Sequence, residues 1–96
     1  MKIIFKESFV VRLENQIEYI AIDSPTLARK FKTELLTRIK KIPLNPYQNR
    51  KSVYFEDNNI RDLIFKGYAI VFRITDLAIE IFGFVKYQDS PIDDRA

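Results

Sequence analysis

Ile17-Glu18-Tyr19-Ile20-Ala21-Ile22-Asp23-Ser24-Pro25 holds the junction on which the fold turns. Upstream of it, Val10, Leu13, Ile17, Ile20 and Ala21 recur at the intervals that put apolar side chains on one face of a helix. Ser8 stands where a hydroxyl can cap that helix. Asp23-Ser24-Pro25 then stops the pattern and restarts it. Ser24 can accept a hydrogen bond from an orphan amide, and Pro25 fills the first helical position, where its missing N–H costs nothing. Downstream, Ala28, Phe31, Leu35, Ile39 and Ile42 form a second stripe, ended by Pro43 and Pro46. Two helices joined by so short a link form an antiparallel hairpin whose stripes need a common platform.

The flanking sequence supplies that platform. Ile3 to Phe5 reads as a first strand. Beyond Ser52 the helical period gives way to runs of β-branched and aromatic residues at Val53 to Phe55, Ile60 to Phe65 and Tyr68 to Val85. Asn58-Asn59, Lys66-Gly67 and Thr75-Asp76 supply turns. The expected fold class is α+β: an N-terminal strand, then an antiparallel helical hairpin packed on a mainly antiparallel sheet of about four strands. In the last two strands Ile70, Phe72 and Ile74 alternate with Ala69, Val71 and Arg73, while Ile79, Ile81 and Val85 alternate with Phe82 and Phe84. Both sheet faces are therefore apolar. The face away from the helices is either core beneath a loop or a docking surface for another chain, and the docking surface is preferred. Residues 1–87 are read as one domain and 88–96 as a polar, acidic, weakly ordered tail.

At 96 residues the chain is too short for two cores, and at 47% hydrophobic and 30% charged it is neither disordered nor insoluble in type. It has no Cys and no His, which excludes disulfides, thiolate chemistry, His-ligated zinc and imidazole bases. No cofactor or metal is expected. Glu56-Asp57-Asn58-Asn59 lacks the Gly and closing Glu of a calcium loop and reads as a turn. No apolar run is long enough for a membrane span or signal peptide, so a cytoplasmic protein is expected. The net charge is only +3, but Arg29, Lys30, Lys32, Arg38, Lys40, Lys41, Arg50 and Lys51 face Glu34 alone between residues 29 and 51. Such a segment is either a solvated helix face or a surface that approaches phosphate-rich or acidic partners.

Two blocks carry a family resemblance. Ile17-Glu18-Tyr19-Ile20-Ala21-Ile22-Asp23-Ser24-Pro25, followed by Ala28, Phe31, Leu35 and Ile39, resembles the hairpin of ParE-type toxins. Pro46, Arg61-Asp62-Leu63 and Gly67-Tyr68-Ala69-Ile70-Val71-Phe72-Arg73-Ile74 resemble the Arg-x-Leu and Tyr-x-Ile-x-Tyr/Phe-Arg-Ile strands of the RelE/ParE superfamily. The resemblance spans about residues 2 to 87. It implies a toxin of a bacterial type II toxin-antitoxin pair, neutralised by a cognate antitoxin that wraps it, with a homo-oligomer or a toxin-antitoxin hetero-oligomer as the expected assembly.

The superfamily divides by mechanism. RelE-like members cut messenger RNA on the ribosome. Cutting through the 2′-hydroxyl without a metal requires a proton acceptor, cations for the crowded phosphorane and a donor for the leaving oxygen. Where cutting toxins typically carry Arg after the turn, this chain has Ala69, and Leu63 replaces one of two alternating lysines. An altered ribonuclease site would rest on Arg61, Lys86 and Tyr87. The chain resembles ParE-like members better. These inhibit DNA gyrase by binding, and on that reading Arg61, Tyr68, Arg73, Phe82 and Phe84 are target- or antitoxin-binding residues. Each also has a plainer reading: Arg73 can pair with Glu80 across a hairpin, and Tyr68 can be an aromatic at the core edge. Arg29, Lys30, Lys32, Lys40, Lys41, Arg50 and Lys51 form the basic face. Tyr47, Tyr54 and Tyr87, near Arg50, Lys51 and Lys86, could stack on bases. A basic nucleic-acid-binding module without toxicity is the third reading.

Overall fold

The computed structural model of the chain describes residues 1–86. The chain forms β1 (Lys2–Phe5), α1 (Glu7–Asp23) and α2 (Pro25–Lys40), then two 3-10 turns (Ile42–Leu44 and Pro46–Gln48), then β2 (Arg50–Lys51), β3 (Ile60–Phe65), β4 (Tyr68–Ile74) and β5 (Ala78–Lys86). The strands make one mixed sheet in the order β1-β5-β4-β3-β2. Only the β1–β5 pair is parallel, with Ile3 opposite Ile79; the others are antiparallel. The α+β reading holds, with five strands where about four were expected.

Ser24 divides the hairpin as its chemistry dictates. It accepts the Leu27 amide at 3.1 Å to cap α2, while its own N–H donates to the Ile20 carbonyl and closes α1. Ser8, by contrast, is not a cap. The N-cap of α1 is Lys6, whose amide is already tied to Ile81 at the end of the β1–β5 pair. Ser8 lies inside the first turn and donates to the Phe82 carbonyl at 2.7 Å, fastening α1 to β5. Ala28, Phe31, Leu35, Ile39 and Ile42 are all buried, with Leu35 and Ile39 fully enclosed. The stripe of α1 sits shallower: Phe9 and Leu13 are buried, and Val10, Ile17 and Ile20 pack at the margin.

The helices cover one sheet face through Leu63, Phe65, Tyr68, Ile70, Phe72, Ile74, Ile79, Ile81 and Phe84. The last of these departs from simple alternation. Val71 pairs with Gly83 but Phe72 with Ile81, so Phe82 is an extra residue in β5. This bulge turns Phe84 toward the helices and leaves Phe82 and Val85 on the far side, reversing the expected grouping of Val85 with Ile79 and Ile81. Gly83 is required at the bulge, because a Cβ there would lie 2.9 Å from Val71 Cβ.

Val53 to Phe55 do not form the expected strand. The strand is Arg50–Lys51, and the segment after it folds across the far sheet face. Val53 donates its N–H to Asp62 at 3.2 Å, and Phe55 packs edge-on against Phe82 with ring centroids 5.6 Å apart. Ile60, Ala69, Val71 and Ala78 on this face are buried. The face expected to be a bare docking surface is thus largely core beneath a loop, and its exposed apolar groups are Val53, Tyr54 and Phe55 of the loop together with Ile64 of β3.

Candidate functional site

The residues singled out for function do not converge on one point. Arg61, on β3, is held by its own neighbourhood. Its Nε donates to the Asn58 carbonyl at 2.9 Å, one terminal nitrogen to the Asn49 carbonyl at 3.1 Å and the Tyr47 carbonyl at 3.5 Å, and the other to Asn58 Oδ1 at 2.8 Å. The guanidinium also lies over the Tyr47 ring, 4.9 Å from its centre. Four of the five donors of an arginine are therefore committed to the turn 57–59 and the 3-10 segment. The Glu56–Asn59 stretch is a turn, with Asn59 N–H bonded to Asp57 at 2.9 Å.

Lys86 is remote from Arg61. Arg61 pairs with Phe72 and Lys86 with Tyr68. Four residue steps along the strands and two strand spacings across them separate their backbones by about 16 Å. Tyr87 and the 88–96 tail lie outside the described residues.

Arg73 and Phe82 sit on the far face, where the expected pair forms: Arg73 lies 3.5 Å from Glu80 and 5.2 Å above the Phe82 ring. Tyr68 and Phe84 belong to the opposite face, stacked at 4.8 Å, with Phe31 edge-on to Tyr68 and Phe9 edge-on to Phe84. Burial, and secondarily Tyr19, push the Tyr68 hydroxyl above the ordinary tyrosine range.

The basic residues also separate by role. Arg50 is engaged with Asp62 at 3.1 Å. Lys51 is paired in register with Arg61. Arg29, Lys30, Lys32, Lys40 and Lys41 are exposed along α2 and its end. Within that helix Glu34 is held below the ordinary carboxylate range by a hydrogen bond from Lys66, which outweighs the opposing effect of burial and is joined by the charges of Lys66 and Lys30.

An open strand edge follows the end of β5. β1 accompanies β5 only from Ala78 to Ile81, so among the described residues no strand flanks the outer edge of Gly83–Lys86. A cleft of about 250 Å³ lies there between Ser8, Arg12, Tyr54, Phe55, Phe82, Gly83 and Val85. A second, of about 340 Å³, continues past Arg12 to Asn15, Gln16, Tyr19, Tyr68 and Lys86, and Phe84 lines both. An unpaired strand edge beside clefts can accept an extended segment through main-chain hydrogen bonds, with side chains entering the clefts. Of the predicted residues Tyr68, Phe82, Phe84 and Lys86 line this trough; Arg61 and Arg73 do not. Arg12, Tyr19 and Phe55 were not foreseen. The signal for Tyr19 was a large aromatic off the helical stripe.

No helix among the described residues is long and apolar enough to cross a membrane. No curated protein gives a significant match to the chain. The family model described as "ParE toxin of type II toxin-antitoxin system, parDE" matches residues 3–89. The order of strand, Ser-Pro-jointed hairpin and sheet, together with that match over nearly the whole chain, means that the chain belongs to the ParE toxin family of type II toxin-antitoxin systems.

Proposed function

We propose that this toxin arrests growth by binding a target protein, with DNA gyrase the target that family membership suggests, and that a cognate antitoxin neutralises it. The observation that carries the reading is the dispersal of the groups an RNA-cutting site would need. Arg61 spends four of its five donors on three backbone carbonyls and the Asn58 side chain, Lys86 lies about 16 Å away by strand geometry, and Ala69 is a buried methyl group. A phosphorane needs its cations within hydrogen-bond reach of one another's ligand, and this arrangement does not provide that. The trough along Gly83–Lys86 supports the antitoxin half of the reading. It offers a free strand edge, two clefts with apolar groups in their walls, and Arg12 and Lys86 in their lining, for an extended segment carrying acidic and apolar side chains.

The test is a supercoiling and DNA-cleavage assay with purified gyrase. Inhibition with trapped breaks, relieved by the antitoxin, is expected. Gyrase indifferent to an excess of folded toxin would remove gyrase as the target. For the trough, Gly83→Pro is unsuitable because it disturbs the bulge. Lys86→Glu with Arg12→Glu is surface chemistry and should weaken antitoxin affinity at least about tenfold through like-charge repulsion, if the partner is acidic there.

A further inference from the structure

A polar recess at the end of α2 is used neither by the fold nor by the trough. It has a volume of about 400 Å³ and is lined by Arg38, Lys41, Ile42, Asn45, Gln48, Asn49 and Leu63. That volume is in the range of small-molecule sites. No carboxylate lines it, and none pairs with Arg38 or Lys41 among the described residues. Glu34, one turn back from Arg38, is occupied by Lys66.

Several main-chain carbonyls at this helix end are consumed locally. The amide of Lys41 bonds to Arg38 and Ile39, Leu44 to Lys41, Asn45 to Ile42, Gln48 to Asn45, and Asn49 to Pro46. Arg38 reaches the Ile64 carbonyl at a long 3.4 Å and keeps further donors. The side-chain amides of Asn45 and Gln48 have no partner among the described residues, whereas Asn49 donates to Pro46. Tyr47, between two of the lining turns, is half exposed.

Two cations beside unpartnered amides match one ligand chemistry: an anionic phosphodiester together with an unstacked base whose edge offers donors and acceptors. We infer that this recess binds a nucleotide of single-stranded nucleic acid, its phosphate at Arg38 and Lys41 and its base edge at Asn45 and Gln48. Cations position the backbone, and amides read the base. Duplex shows its base edges only on the floor of a groove, which a concave recess cannot enter, so an unstacked base is needed. The inference goes beyond gyrase binding and needs neither gyrase nor a growth readout, so it can fail while the toxin reading stands.

The test is fluorescence anisotropy of the purified chain with a labelled single-stranded oligodeoxynucleotide across a salt series, with unlabelled duplex as competitor. Binding should fall steeply with salt. Lys41→Ala should reduce the salt slope by about one. Lys32→Ala removes the same charge about 13 Å up the helix and should leave the slope unchanged, because that separation exceeds the Debye length of about 8 Å. The side-chain amide resonances of Asn45 and Gln48 should move on saturation, a readout that needs no variant. The inference is overturned by absent or salt-insensitive binding, by Lys32→Ala equalling Lys41→Ala, by duplex competing as well as single strand, or by unmoved amide resonances.

Discussion

The buried carboxylate of Asp62 is anchored by the guanidinium of Arg50 at 3.1 Å, with the Asp62 side chain fully enclosed and about a third of Arg50 open to solvent. The pair joins β2 to β3 on the face away from the helices, where Asp62 also accepts the Val53 amide and so holds the loop that roofs the sheet. The asymmetry of burial fixes which loss is worse. Removing Arg50 strands a charge in the interior, whereas removing the charge of Asp62 leaves an arginine that can turn to water. Arg50→Ala should cost about 3–5 kcal/mol and Asp62→Asn about 1–3 kcal/mol. Urea unfolding of the two variants checks the order, and a costlier Asp62→Asn would contradict it.

Gly83→Ala should destabilise by about 1–3 kcal/mol through overpacking, since the new methyl group meets Val71 across the bulge and neither backbone can give way cheaply. Val71→Ala in the same chain opens the required space. The double variant should therefore be less destabilised than the sum of the two single changes in thermal melts. Strict additivity would mean that the two positions do not meet.

Arg61→Lys keeps the charge but cannot reproduce the fork that bonds Asn58, Asn49 and Tyr47. Its expected effect is on stability, a loss of about 1–3 kcal/mol, with toxicity falling only as far as the folded population does. A fully stable Arg61→Lys variant that had lost toxicity would instead place Arg61 in contact with the target.

Tyr68 supplies a pH dependence whose sign follows from its surroundings. Its folded pKa is raised, so the unfolded chain loses this proton first. The contribution is fully present below the ordinary tyrosine value near 10 and is lost as pH rises through the higher folded value. Glu34 works in the opposite direction. Its folded pKa is lowered, so its contribution is present above the ordinary value near 4.5 and disappears as pH falls through the lowered one. Tyrosinate absorbance should show a late-titrating group missing in Tyr68→Phe, and Glu34→Gln should flatten the acid limb of the stability curve slightly.

Much of this architecture was legible because it rests on local chemistry. The Ser24-Pro25 junction is visible in sequence because a hydroxyl acceptor and a residue without an N–H have few other uses side by side. The stripe from Ala28 to Ile42 is visible because one helix face must be apolar. Val53 to Phe55 misled because β-branched and aromatic residues suit a pleated, half-buried surface whether they form it or lie across it. Simple alternation puts Phe84 on the wrong face because a single extra residue, Phe82, inverts every side chain beyond it. Asp62 left a trace that was not used: a carboxylate between Ile60 and Ile64, on a strand face otherwise apolar, must find a cation. The trough could not be read at all, since it depends on β1 ending at Phe5 beside a longer β5.

On the proposed reading this ParE-family toxin acts by binding and not by cutting RNA. The most direct measurement maps new messenger RNA 5′ ends shortly after the chain is induced alone in bacteria, with growth followed in the same culture. Arrested growth with no new codon-phased ends is the predicted result. Codon-phased ends inside translated regions, lost in a folded Lys86→Ala variant, would contradict the account and place a nuclease site at the end of β5.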